Sequence, residues 1–315
     1  MRIAVTGATG TLGSQVVGML ADAAPPGLAG GGRGGEPAGD GGPHEVLALA
    51  RRPAMVPAAV SAAMPPAPGT GGSGAGVVVP VFADYDDAAS LRLALRGVDV
   101  LVFVSSDGEA ARMLVHHRNV VEAAAASGVG HVVYLSGVDA DLASPFCYAF
   151  TNGYTEQLLA GSGCGFSFAR ASLFTEFFAA FLRPALASGE LRVPGGDGRV
   201  SLVSRADVGR CLAALALLPP SGRHHDLTGS AALTLRDMAG VLSELAGSPV
   251  RYADVAPSVL AEELARSGED PWWTYAYSSM FASVREGRWA AVSDEVLRLT
   301  GRAPLPLADV VRPRA

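Results

Sequence analysis

Gly7-Ala8-Thr9-Gly10-Thr11-Leu12-Gly13 follows the apolar run Ile3 to Thr6 and opens a helical pattern. Three glycines at this spacing, between a strand and a helix, suit a pyrophosphate. Gly7 lets the chain turn sharply, Gly10 removes a Cβ from the phosphate's approach, and Gly13 lets the helix lie close to the sheet. The start of that helix offers free N–H groups and the positive end of its dipole. The expected chemistry is dinucleotide binding, with Thr6, Gly7, Thr9, Gly10, Thr11, Leu12 and Gly13 as candidate contacts.

The next strand ends in Leu49-Ala50-Arg51-Arg52-Pro53. An acid there would bind a ribose 2′-hydroxyl and repel a 2′-phosphate, whereas a guanidinium binds the phosphate through paired hydrogen bonds. Arg51 and Arg52 therefore favour NADP(H) over NAD(H), and the sequence leaves open which of the two acts.

These residues need a scaffold. Strand patterns at Ile3–Thr6, Glu45–Ala50, Val77–Phe82, Val98–Val104 and Val132–Leu135 alternate with helical patterns at Thr11–Ala23, Asp87–Leu95 and Glu109–Ser127. Short apolar strands between helices imply a parallel sheet buried on both faces, and right-handed crossovers make it doubly wound. The fold class is α/β: a Rossmann-type doubly wound parallel sheet with a smaller mixed α/β C-terminal lobe for substrate. Residues 1–165 form the nucleotide-binding domain, to which 195–230 return. Residues 166–194 and 231–315 form the smaller lobe, which carries Trp272, Trp273, Tyr275, Tyr277 and Phe281. Beyond about residue 150, helical patterns cover Tyr154–Ala160, Phe174–Leu186, Asp207–Leu217, Leu235–Leu245, Pro257–Arg266 and Trp273–Arg285. Gly/Pro-rich stretches at about 24–44 and 53–76 lack periodicity and read as disordered surface insertions, the second with a short helix near Ala54–Ala63.

Composition narrows the function classes. The 315 residues are 49% hydrophobic and 17% charged, with net charge −6 and no basic run, which argues against nucleic-acid binding. No apolar run spans a bilayer, and the start resembles no signal peptide; a cytoplasmic protein without membrane association is expected. Cys147, Cys164 and Cys211 are too scattered for a zinc site or a disulfide framework. The adjacent pairs His116-His117 and His224-His225 point in different directions on any regular element, so no metal is expected. All 24 Lys and Arg residues are arginine, so no step can use a lysine. With the abundant Ala and Gly, this reads as GC-rich codon usage, a setting in which specialised metabolism is plausible.

Several segments in order resemble the NmrA-like atypical short-chain dehydrogenases, on the side of NAD(P)H:quinone oxidoreductases. They are VTGATGTLG, ALARRP, ADYDD, HHRNVVEAAAASGVGHVVYLS, GGDGRVSLVSRAD, HDLTGSAALTLRDMAGVLSELAGSPVRY and REGRWAAVSDEVLRLTGRAPL. The resemblance implies that Asp84 and Tyr85 lie near the adenine, Val104, Ser105 and Ser106 beside the nicotinamide ribose, and Ser136 and Gly137 near the nicotinamide. On residue type alone the three serines read as turn or cap hydroxyls. Conventional members of the wider family use Tyr-x-x-x-Lys. Here Tyr148 is followed four residues on by Asn152, and Tyr154 by Leu158.

Without that pair the expected reaction is NADPH-dependent hydride transfer to a quinone-like or conjugated carbonyl small molecule, which needs little acid catalysis. Tyr148, Asn152 and Ser136 are the candidate hydrogen-bond donors to its oxygen. The alternative is a non-catalytic NADP(H)-binding redox regulator; a sugar-nucleotide epimerase is disfavoured because it uses the missing pair. Arg170 and Glu176 read as an ion pair joining the lobes, and Arg205 and Asp207 as a helix-start pair. A homodimer is the expectation from base rates.

Overall fold

A computed structural model describes residues 1–23, 44–56 and 76–312. Most of the two Gly/Pro-rich insertions, with the expected helix near 54–63 beyond a 3-10 turn at Pro53–Met55, lies outside them.

The core is a seven-stranded parallel sheet. Its strands are β1 (Arg2–Val5), β2 (Glu45–Ala50), β3 (Val77–Phe82), β4 (Val100–Phe103), β5 (His131–Gly137), β6 (Gly165–Ala171) and, at the far edge, β9 (His224–Leu227). Their order, β3-β2-β1-β4-β5-β6-β9, reverses direction between β1 and β4. A doubly wound sheet opens a crevice at that point, beyond the carboxyl ends of its strands. β4 and β5 are buried throughout, as a sheet covered on both faces requires. β3 carries Pro80 and is an edge strand, where a missing N–H costs no ladder bond.

Helices cover both faces. On one lie α1 (Thr11–Asp22) and α6 (Arg205–Ala216), packed on each other through Leu12, Val16, Leu20, Val208 and Leu212. On the other lie α2 (Ala88–Ala94), α3 (Ala110–Ala126) and the C-terminal half of α4 (Cys147–Ala160), which bury Leu91, Val120, Val121, Ala124 and Leu159.

The smaller lobe has its own core. It is built from α5 (Thr175–Ser188), α7 (Leu235–Ala246), α8 (Pro257–Arg266), α9 (Pro271–Arg285) and α11 (Leu307–Val311). Two small sheets complete it: β7 (Glu190–Val193) parallel to β11 (Arg251–Asp254), and β8 (Arg199–Val200) antiparallel to β10 (Leu233–Thr234). Among the described residues, no helix is long and apolar enough to cross a membrane.

Three expectations change. The boundary at 165 put β6 in the smaller lobe, but β6 lies inside the large sheet between β5 and β9. The late segment was assigned wholly to the smaller lobe, yet Val296 of α10 (Glu295–Thr300) joins the sheet core, and α10 packs on α6 and β9. Helix α4 starts at Cys147 rather than near Tyr154. Thr151, Asn152 and Gly153 are weak helix formers. They are carried by packing: a Cβ at Gly153 would meet the backbone of Ala140 and Asp141 at 3.4 Å. The longer helix matters because residues four apart share a face, so Tyr148 and Asn152 turn the same way.

Candidate active site

One cleft of about 670 Å³ follows the switch point and continues between the sheet and the smaller lobe. At the end beside α1 the backbone is shaped by the glycines. Gly7 has φ +64, the left-handed region that only glycine enters freely. A Cβ at Gly13 would fall on the Gly7 carbonyl oxygen, and one at Gly10 would crowd the same oxygen at 3.2 Å. Gly10, the N-cap of α1, has no side chain to satisfy the first turn of that helix. Its N–H groups thus face the cleft uncapped, as an anionic group would require. Thr6 pins this turn to the next strand: its hydroxyl donates to the Val104 carbonyl at 3.0 Å and accepts from the Val104 N–H at 2.9 Å. The missing Cβ atoms and the uncapped helix start fit a dinucleotide pyrophosphate.

Of the residues expected at this site, Thr6, Gly7, Thr9, Gly10, Thr11, Leu12, Gly13, Arg51, Asp84, Tyr85, Val104, Ser105, Ser106, Ser136, Gly137, Tyr148 and Asn152 all line the cleft. Arg52 is not among the lining residues; its guanidinium lies 3.9 Å from the Met55 sulfur. Arg51 thus stands at the cleft end of β2, with no acid at that strand's end.

The cleft's side chains are held by a dense set of bonds. Tyr85 donates to the Val104 carbonyl at 2.6 Å and stacks on His116, with ring centroids 5.6 Å apart. Burial raises the Tyr85 phenol well above its ordinary range. His116 reaches Ser106 at 3.0 Å and Asp86 at 2.9 Å. Hydrogen bonds from Arg112 and then His116 hold the Asp86 carboxyl below the usual range. No signal in the sequence pointed to this role of His116; its neighbour His117 turns inward to Thr155.

The three expected donors differ once their partners are known. Ser136 gives its single hydroxyl proton to Glu156 at 2.6 Å, so toward the cleft it offers only lone pairs. Tyr148 donates to the Gly108 carbonyl at 3.0 Å, and burial pushes its pKa up to about 12. Asn152 accepts from Tyr134 at 2.9 Å, lines the cleft, and has no acceptor for its NH2 among the described residues. Of the three expected donors, Ser136 and Tyr148 thus each give their proton to a protein acceptor in this arrangement.

Two charged pairs are also redrawn. Arg170 does not bridge the lobes to Glu176; it clamps Glu156 at 2.9 and 2.6 Å. Glu176 instead accepts from the Arg205 main-chain N–H at 3.1 and 3.0 Å, while Asp207 pairs with Arg210. This frees the Arg205 side chain. Its guanidinium lies over the Phe174 ring, 5.5 Å from the centroid, and lines the cleft with no carboxylate partner among the described residues. The far wall is apolar and aromatic, with Phe146, Phe177, Trp273, Tyr277, Met280 and Trp289.

Comparison with known proteins agrees with this architecture. Quinone oxidoreductase 2 of Escherichia coli (strain K12) is 31% identical over 267 residues, covering 84% of this chain and 82% of that protein. A (4-alkanoyl-5-oxo-2,5-dihydrofuran-3-yl)methyl phosphate reductase of Streptomyces griseus is 31% identical over 310 residues, covering 98% of this chain and 95% of that one. The crystal structure of an Escherichia coli NADPH-dependent quinone oxidoreductase complexed with NADPH superposes with a TM-score of 0.81 at 29% identity, covering 98% of each chain. The NmrA-like family pattern matches residues 42–281. With the family pattern matched over most of its length and relatives 31% identical across most of both chains, this chain belongs to the NmrA-like family.

Proposed function

We propose that this NAD(P)H-dependent oxidoreductase prefers NADPH to NADH and reduces a quinone-like or conjugated carbonyl small molecule. The observation that carries the reading is a single cleft lined by both the uncapped start of α1 and the aromatic wall, with the Asn152 amide on its surface. The residues around α1 and Arg205 would hold the pyrophosphate, and Arg51 would hold the 2′-phosphate. Asp84 and Tyr85 would border the adenine, Val104 to Ser106 the ribose, and Ser136 and Gly137 the nicotinamide, where the Ser136 lone pairs suit a carboxamide N–H. Bound NADPH supplies a hydride.

The protein's part is to bind, orient and exclude water. No lysine is available, and Tyr148 is far from titrating near neutrality. A conjugated acceptor suits such a site, because its negative charge is delocalised as the hydride arrives and water can deliver the one proton that completes reduction. The relatives' names support this class: one acts on quinones, the other on an unsaturated oxo-dihydrofuran. Anaerobic mixing with NADPH and a panel of quinones and enones, followed at the nicotinamide absorbance, tests it. Oxidation of NADPH by at least one acceptor, faster than of NADH, is expected. Tight NADPH binding with no oxidation across the panel would overturn it in favour of a non-catalytic NADP(H)-binding redox regulator.

A further inference from the structure

We propose that Tyr134 is a positioning residue whose buried hydroxyl turns the Asn152 carboxamide so that its NH2 faces the cleft, as donor to the oxygen of the hydride acceptor. The inference rests on the reductase reading above and names the group that meets the acceptor's developing charge.

The Thr155 hydroxyl donates to the Thr151 carbonyl at 2.7 Å. A hydroxyl has one proton, so toward His117 Thr155 can only accept. His117 Nδ1, 2.8 Å away, therefore carries the ring's N–H. His117 is fully buried, and burial, with a smaller contribution from His116, holds its pKa at about 3. The ring is thus neutral, and its Nε2 is bare, with no partner among the described residues.

Tyr134 lies next in this chain, its oxygen 3.5 Å from His117 Nδ1, whose proton is already committed. The Tyr134 phenol is fully buried, and burial raises its pKa well above the ordinary range, so its proton stays on. That proton goes to Asn152 Oδ1 at 2.9 Å. The amide is thereby fixed with its oxygen toward the core and its nitrogen turned away.

Gly137 confirms where the nitrogen goes. A Cβ at Gly137 would lie 2.9 Å from Asn152 Nδ2. The amide NH2 rests over the bare main chain at the carboxyl end of β5, where both residues line the cleft. It donates to no protein group among the described residues, whereas the Ser136 and Tyr148 protons are taken by Glu156 and Gly108. The Thr151 carbonyl, acting through Thr155, keeps the His117 Nδ1 protonated and so denies Tyr134 a second acceptor, which leaves Asn152 Oδ1 as the one its proton takes.

The test is a double-mutant cycle in the full-length protein. With a reducible quinone and saturating NADPH, Asn152→Ala should lower kcat ~100-fold, the usual loss for one preorganised oxyanion donor. Tyr134→Phe should lower kcat about tenfold, as expected for one hydrogen bond. Neither should change the Kd for NADPH. In the Asn152→Ala background, Tyr134→Phe should cost nothing more, because it acts through the amide. An equal factor in both backgrounds, or no effect in the wild type, would overturn the proposal. A second measurement is independent of turnover: the Kd of 4-nitrophenolate, an oxyanion mimic, for the NADP⁺-loaded protein. It should weaken in either single variant and no further in the double. Phenolate binding indifferent to Asn152→Ala overturns the positioning role, whereas a wild type that binds phenolate in this way but oxidises no NADPH overturns only the reductase reading.

Discussion

Ser136 donates to Glu156 at 2.6 Å, and Glu156 is in turn held through both oxygens by Arg170. The hydroxyl at the end of β5 is therefore an acceptor toward the cleft, and the carboxylate behind it is a structural anchor. Ser136→Ala should lower kcat by no more than about threefold, less than one ordinary hydrogen bond is worth. A hundredfold loss would restore Ser136 as a donor. Glu156→Ala should be costly, since it strands the Arg170 charge in a largely buried position. About 3 kcal/mol is expected for breaking such a pair, read from urea unfolding at neutral pH.

Arg51 and Arg205 should separate by cofactor. Arg51→Gln should weaken NADPH binding about tenfold or more, the worth of a charged hydrogen bond, and leave NADH binding unchanged. Arg205→Gln should weaken both cofactors by the same factor, because a pyrophosphate is common to them. Titration calorimetry with each cofactor distinguishes the two patterns. A selective NADPH effect at Arg205 would place the 2′-phosphate there instead.

Tyr148 should be silent as an acid. Its pKa is pushed up to about 12 by burial, and its proton is donated to Gly108. The pH profile of kcat between about pH 6 and 9 should therefore superimpose for Tyr148→Phe and wild type, since a group acting as general acid would titrate near that range. A limb lost only in the variant would contradict this.

Two buried histidines should make the fold acid-sensitive. Burial holds His117 at about 3 and His131 at about 4, both below the ordinary histidine value of 6.5. The unfolded chain then binds more protons than the folded one as pH falls below about 6.5. Stability should be full above that pH and decline progressively down to about pH 3 to 4. Urea midpoints measured at several pH values should show the decline, with a shallower slope in His117→Gln, which removes one of the two groups.

Gly13→Ala should damage the nucleotide end without touching the aromatic wall. The added Cβ would fall on the Gly7 carbonyl oxygen, so α1 must shift away from β1. Overpacking of this kind costs about 1 to 3 kcal/mol. Thermal unfolding should register the loss, together with weaker binding of NADPH and NADH alike.

Much of this molecule was legible before folding. The β1–turn–α1 unit, with Leu12, Val16, Val17 and Leu20 on its buried face, follows from periodicity and three glycines within a few residues. Arg51 at the end of β2 was visible for the same reason. α4 was less legible, because Thr151, Asn152 and Gly153 weaken its local signal and packing against Ala140 and Asp141 replaces it. The place of β6 was not legible either, since a short apolar strand carries no mark of which sheet it will join.

The sequence by itself determined the alternation of strand and helix, the glycine turn at the switch point, and the absence of any lysine chemistry. These are local properties of spacing and composition. Only the tertiary structure supplied the hydrogen-bond partners of the polar groups in the cleft. Ser136, Tyr148 and Asn152 look alike on paper as polar side chains at the right places. A hydroxyl has one proton, and where it goes depends on partners as distant as Glu156 and Gly108 in the chain. Packing brings those partners in, and it sets Tyr134 against the Asn152 amide oxygen while Asn152 lines the cleft.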